Sequence, residues 1–110
     1  MGLFAAGDIV IIPFPYSDLS KTKLRPALIV ADLDNNEYIL IQITSQEYDN
    51  KYTIKLFNSD LKFGTLKVNS YLKYSKIFTA SESIFFKSIA KIEENKLIEV
   101  PKKITELINK

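Results

Sequence analysis

Fifteen residues of this chain are lysine or arginine, and Arg25 is the one arginine among them. It stands in Lys23-Leu24-Arg25-Pro26, between a stretch rich in turn residues and an apolar run. A guanidinium stays charged at any working pH. Its planar fork grips a phosphate or carboxylate through two parallel hydrogen bonds, which a lysine ammonium cannot do. Arg25 is therefore the first candidate for chemistry; the competing reading is a surface base present by chance. The chain has no histidine and no cysteine. The usual near-neutral acid and base is missing, and so are imidazole and thiolate metal ligands. Catalysis here must use carboxylates, hydroxyls, lysine, arginine or backbone amides.

The elements that must hold such a group are short. Asp8–Phe14 is apolar and β-branched and predicts a buried strand ending near Pro13. Pro15–Leu24 reads as a long loop with Pro15, Ser17, Asp18, Ser20 and Thr22. Pro26–Leu33 predicts a second strand, with Pro26 at its start or on an edge. Asp34-Asn35-Asn36 is a turn signal, and Tyr38–Thr44 a third strand. Tyr52–Phe57 alternates as a half-buried strand does. Asn58–Lys62 reads as a turn, Thr65–Tyr71 and Ser75–Thr79 as strands, and Ser81–Phe86 as a short helical turn before a strand over Ser88–Ile92. Ile104, Leu107 and Ile108 after Pro101 predict a helix over about 101–109 with one apolar stripe. The expected fold is mainly β, a small barrel of antiparallel strands with short helical turns and a C-terminal helix.

Composition narrows the class. One hundred and ten residues, 46% of them apolar, suit a single domain over 1–110 with its own core. No long apolar run or signal-peptide pattern occurs, so a cytoplasmic protein away from membranes is expected. A net charge of +2 does not announce a nucleic-acid binder. Its distribution is more informative. Lys21, Lys23 and Arg25 cluster without an acid, and Lys62, Lys67, Lys73, Lys76, Lys87 and Lys91 face Glu82 alone in sequence. Brought to one face, they would steer a polyanion; apart, they make an ordinary mixed surface.

Three stretches occur in a telling order. Gly7-Asp8-Ile9-Val10 leads through Pro15-Tyr16-Ser17-Asp18 to Arg25-Pro26-Ala27-Leu28; then come Ile43-Thr44-Ser45-Gln46 and Asn69-Ser70-Tyr71-Leu72-Lys73 with Lys76-Ile77-Phe78-Thr79. From about residue 7 to residue 92 this resembles the MazF/PemK family of toxin endoribonucleases from type II toxin–antitoxin modules. The resemblance implies an SH3-like barrel and a homodimer that cleaves single-stranded RNA sequence-selectively, with no metal or other cofactor. It implies a cognate antitoxin as partner. By resemblance the catalytic pair falls on Arg25 and Thr44, with an assisting loop hydroxyl at Ser20; Ser17 and Thr22 lie close enough to compete for that role. The implied products are a 2',3'-cyclic phosphate and a 5'-hydroxyl.

Elementary chemistry is compatible with that reading. When the ribose 2'-hydroxyl attacks its own phosphodiester, the protein needs no nucleophile, only positioning and charge stabilisation. Several residues carry two readings. Thr44 suits a phosphate donor and also a plain strand former. Ser17, Lys21 and Lys23 suit RNA contacts or a solvated loop, and Gln46 a base edge or a polar loop. Phe14 and Tyr16 suit stacking on bases, though Phe14 reads better as core. Asp8 reads as a tie for a strand end. Asp32 and Asp34 read as turn residues rather than magnesium ligands, because no third acid stands beside them. Phe85 and Phe86 are candidates for a dimer surface. Two other functions share the architecture: a non-catalytic barrel binding RNA or protein, and a gyrase poison. The latter is disfavoured by the absence of tryptophan.

Overall fold

The computed structural model describes residues 3–15, 22–45 and 51–110. Among these, seven strands form one antiparallel sheet: β1 (Asp8–Pro15), β2 (Thr22–Asp32), β3 (Glu37–Thr44), β4 (Thr53–Leu56), β5 (Leu61–Gly64), β6 (Ser70–Ser81) and β7 (Lys87–Ile92). The helix α1 (Glu94–Ile108) follows. The strand order is β4-β6-β3-β2-β1-β7-β5, so β4 and β5 are the edges of a curled half-barrel. The mainly β architecture with a terminal helix is as expected.

Period-two alternation builds two cores from the same strands. Ile9, Leu28, Ile41, Ile43, Ile54, Leu56 and Leu72 point to one face, where Val100 of α1 covers them. Val10, Ile12, Ala27, Ile29, Tyr38 and Leu40 point to the other, packed by Phe4, Phe14, Phe78 and Phe85. Because β1 and β2 are buried on both sides, their sequences read as continuous apolar runs.

Several boundaries differ from the sequence reading. Pro26 lies inside β2, a central strand, opposite Ile11. The carbonyl of Ile11 accepts from Phe86 N at 2.7 Å, away from β2. Ile11 and Pro26 are therefore a non-hydrogen-bonded pair, and the missing N–H of Pro26 faces β3. The β2–β3 ladder begins one residue further on, at Ala27, so the proline breaks no bond with β1. Residues 65–69 are irregular rather than a strand, and the two strands expected around Tyr71 and Ser75–Thr79 are one, β6. β5 falls partly in the expected turn; it follows a 3-10 turn at Asn58–Asp60. The helical turn expected after Ser81 is present at Glu82–Ile84.

The helix begins seven residues before Pro101, not at it. Its polar first turn, Glu94-Asn95-Lys96, hides the start. Tertiary contacts fix that start: Glu93 N donates to Asp60 O at 2.8 Å, and Lys96 Nζ lies 3.5 Å from Asp60 Oδ2. Pro101 is exposed, so Leu97 O loses its helical donor on the solvent side. The stripe facing the sheet is Leu97, Val100 and Ile104; Ile108, assigned to it from sequence, is exposed.

The turn joining β2 and β3 uses left-handed backbone at Asp34, Asn35 and Asn36 (φ 68°, 51° and 66°). Asn and Asp tolerate this region best after glycine. Asp32 Oδ1 accepts from Asp34 N at 2.8 Å, which makes Asp32 the turn residue expected. Asp8 ties a strand end: Oδ2 accepts from Ala5 N at 2.9 Å and Oδ1 lies 3.3 Å from Lys91 Nζ.

Candidate functional site

Register decides which side chains can meet. Beyond a bulge between Ile29 and Ala31, the β2–β3 ladder pairs Leu28 with Ile41 and Ala27 with Gln42. Arg25 and Thr44 lie just beyond the paired stretch, two residues along their strands from Ala27 and Gln42. Both then lie on the face of Ala27 and Gln42, away from α1. Thr44 in turn pairs with Tyr71 of β6, and Tyr71 with Lys55 of β4, while Arg25 pairs with Ile12 of β1. Lys55, Tyr71 and Thr44 thus share a rung of β4, β6 and β3, and Arg25 and Ile12 share one of β2 and β1 at the same end of the sheet.

The next rung runs Thr53, Lys73, Gln42, Ala27 and Val10. The two rungs are about 7 Å apart by strand geometry. Together they place two lysines, the arginine, two threonines, a tyrosine and an amide on one strip, with no carboxylate among its described residues. Thr44 and Lys73 are both 8% exposed, and Tyr71 is buried too. Arg25, Thr44, Thr53 and Lys73 are all held by interactions within the chain. A lysine seldom lies this deep, since its ammonium loses water there. The strip thus combines positive charge, part of it buried, with hydroxyl donors, a combination suited to a phosphodiester.

Lys23 also lies on β2 with the parity of Arg25, opposite Phe14, and is exposed. The remaining sequence candidates, Ser17, Ser20, Lys21 and Gln46, lie outside the described residues, as does Tyr16. Phe14 packs against Phe78 at 5.4 Å between ring centroids, in accord with a core role. The expected dimer pair separates: Phe85 packs on Phe4 and Tyr38, whereas Phe86 is exposed.

Lys73, Tyr71 and Lys55 are members of the strip that sequence reasoning did not select as site residues. Their signal was strand alternation: Leu72, Ile54 and Leu56 are apolar, so their neighbours had to face the other way. The lysines of segment 62–91 do not form one groove. Lys73 is on the strip, Lys67 and Lys87 line a separate cleft with Ile11 and Pro26, and Lys91 pairs with Asp8. Among the described residues no three acidic side chains gather as metal ligands. No helix of the described chain is long and apolar enough to cross a membrane.

Solved structures with this fold include a MazE–MazF complex from Deinococcus radiodurans (17% identity, 97% of each chain, TM-score 0.76). An endoribonuclease in complex with its cognate antitoxin, from a mycobacterial species, superposes with TM-score 0.74 at 11% identity over 96% of this chain and 95% of that one. The Mycobacterium tuberculosis toxin MazF-mt6 gives TM-score 0.69 at 14% identity, over 93% of this chain and 96% of that one. No curated protein sequence matches the chain. A model of the PemK-like, MazF-like toxins of type II toxin–antitoxin systems matches residues 5–108. The sequence motifs, the half-barrel and that match agree: this chain belongs to the PemK-like, MazF-like toxin family.

Proposed function

We propose that the protein is a sequence-selective endoribonuclease toxin that cleaves single-stranded RNA without a metal ion. The observation that carries this reading is that the chain's one guanidinium and Thr44 lie on one face of neighbouring strands, two residues beyond the Ala27–Gln42 pair, on a strip whose described residues include no carboxylate. The 2'-oxygen attacks the adjacent phosphorus and gives up its proton. A 2'-O–P bond forms, the P–O5' bond breaks, and O5' gains a proton. The products are a 2',3'-cyclic phosphate and a 5'-hydroxyl. Arg25 stabilises the charge that builds on the non-bridging oxygens, and Thr44 donates to the same phosphate or orients the attacking hydroxyl. Ser20 assists as a loop donor. Ser17, Lys21, Lys23 and Gln46 contact the RNA, and Lys73 adds positive charge beside the reacting phosphate.

The protein acts in the cytoplasm as a homodimer, through a single domain spanning 1–110, and a cognate antitoxin restrains it. Two of the similar structures contain an antitoxin, which supports that partner. An acidic antitoxin segment would compete with RNA for the positive strip.

The test is cleavage of single-stranded RNA in the presence of a chelator, with both fragment ends mapped. Cyclic phosphate and 5'-hydroxyl termini are expected. Arg25→Ala and Thr44→Ala should each slow cleavage by about 100- to 1,000-fold, the scale of losing one preorganised oxyanion donor. Arg25→Lys should lose most activity as well, because a point charge cannot replace the bidentate fork. Variants that cut as fast as the parent would remove these roles, and a parent that cuts nothing would remove the activity.

A further inference from the structure

The cleft that Lys67 and Lys87 line has a volume of about 370 Å³ and belongs to the face of the sheet that carries α1. Ile11 and Pro26, a cross-strand pair of β1 and β2, line it; their neighbours Ile12 and Arg25 face the other way. Ile89 joins them because β7 bulges. Ile9 pairs with Ala90 and Val10 with Ser88, so Ile89 is left out of the ladder. Further lining comes from the irregular chain between β5 and β6. That chain is fixed by side chains. Asn58 Oδ1 accepts from Leu66 N at 2.8 Å, Asn58 Nδ2 donates to Leu66 O at 3.3 Å, and Ser70 Oγ donates to Val68 O at 3.1 Å.

Two features set its chemistry. The apolar lining is aliphatic, with Leu66 and Val68 beside Ile11, Pro26 and Ile89, and holds no aromatic ring. The charged lining is Lys67 and Lys87, with no carboxylate among the described residues. Apolar surface also runs on beyond the cleft. Val68 is 61% exposed, and Leu24, two residues from Pro26 on the same face of β2, is 52% exposed.

We propose that this cleft docks an acidic, aliphatic peptide segment of a partner protein. Its branched side chains fill the cleft and its carboxylates meet Lys67 and Lys87. Charge complementarity calls for an anion, and the lining selects a peptide over a nucleic acid. Single-stranded RNA carries the charge, but its bases bind by stacking on rings, and this cleft offers branched aliphatic side chains instead. A partner docked here leaves the Arg25 and Thr44 strip open, because alternate residues of β1 and β2 face opposite ways. The inference goes beyond the endoribonuclease reading and holds whether or not the chain cuts RNA.

The experiment uses the full chain and a fluorescein-labelled peptide in which leucine and isoleucine alternate with aspartate. One control peptide carries asparagine for aspartate, and a second carries serine for the aliphatic residues. Affinity is read by fluorescence anisotropy, and the site by methyl NMR. The probe should bind, and each control should bind about tenfold more weakly. The probe should shift the methyl signals of Ile11, Val68 and Ile89 and leave that of Ile84, which lies with Ile12 and Phe14, in place. Lys67→Gln and Lys87→Gln should each weaken binding about threefold, the scale of an exposed ion pair. Val68→Asp, at an exposed position that can change without unfolding the chain, should weaken it about tenfold. A single-stranded 2'-O-methyl oligonucleotide should not displace the probe. Displacement, controls that bind as well as the probe, no binding at all, or unchanged affinity in the three variants would overturn the docking site. The proposed cleavage is judged separately, on whether the parent cuts unblocked RNA.

Discussion

The two faces of β2, β3 and β6 are made by alternate residues of the same strands, yet they follow different rules. Toward α1, Leu28, Ile41, Ile43 and Leu72 are followed outward by Ile54 and Leu56, and Val100 closes over them. All six of these strand residues are apolar, and they do one thing: they remove surface from water. On the opposite face the apolar character stops halfway. Ile29, Leu40 and Tyr38 pack beneath Phe85 and Phe78, but two rungs along stand Gln42, Lys73, Thr44 and Arg25. Burying such groups costs stability unless each is matched. A strip of them, held beside a well-packed face, shows where this fold gives up packing for chemistry.

The sharpest test of that contrast compares neighbours in sequence. Leu72→Ala, on the covered face, should cost about 2–5 kcal/mol in urea unfolding, the range for emptying a fully buried leucine site. Arg25→Ala should reverse the pattern, keeping a cooperative melt while RNA cleavage falls by about 100- to 1,000-fold. Lys73→Met sits one residue from Leu72 and preserves the aliphatic stem. It should lower cleavage about tenfold, as expected for one charge-assisted contact to phosphate, and leave unfolding within about 1 kcal/mol. Loss of fold in Lys73→Met with unchanged specific activity of the folded fraction would move Lys73 from chemistry to structure.

The smallest effect concerns Tyr38, on the apolar half of the second face. Burial pushes its phenol above the ordinary 10.0, and the nearby Glu82 carboxylate, 3.2 Å from its oxygen, adds to this. The folded protein therefore holds this proton to higher pH than the unfolded chain does. Its contribution to stability is complete below pH 10.0 and is lost as pH rises further. Tyr38→Phe should flatten the fall in melting temperature above that pH. A parallel fall in both proteins would assign the alkaline loss to other groups.

Much of this was legible along the chain. The β-branched runs around Ile9–Ile12 and Leu28–Val30 announced strands, and Asp34-Asn35-Asn36 announced the turn, because those preferences are local. The alternation over Thr53–Leu56 announced which side was buried. The helix start was not legible, since Glu94-Asn95-Lys96 carries no apolar period and its anchor is Asp60, far away in sequence. Nor was the length of β6, whose bulge at residues 74–76 imitates a break between two strands.

By itself, then, the sequence determined the strands, the turns, the one guanidinium and the family resemblance, all of which depend on residue type and near neighbours. Whether Arg25 and Thr44 share a surface was decided by pairing. Above the bulge the β2–β3 register sets Ala31 against Ile39; below it, Leu28 against Ile41. Were Val30 paired with Leu40 instead of bulging out, the upper register would run on, Thr44 would fall level with Pro26, and its hydroxyl would point to the face behind Arg25. A slip of one residue reverses every side chain of a strand, and only the folded sheet determines that slip.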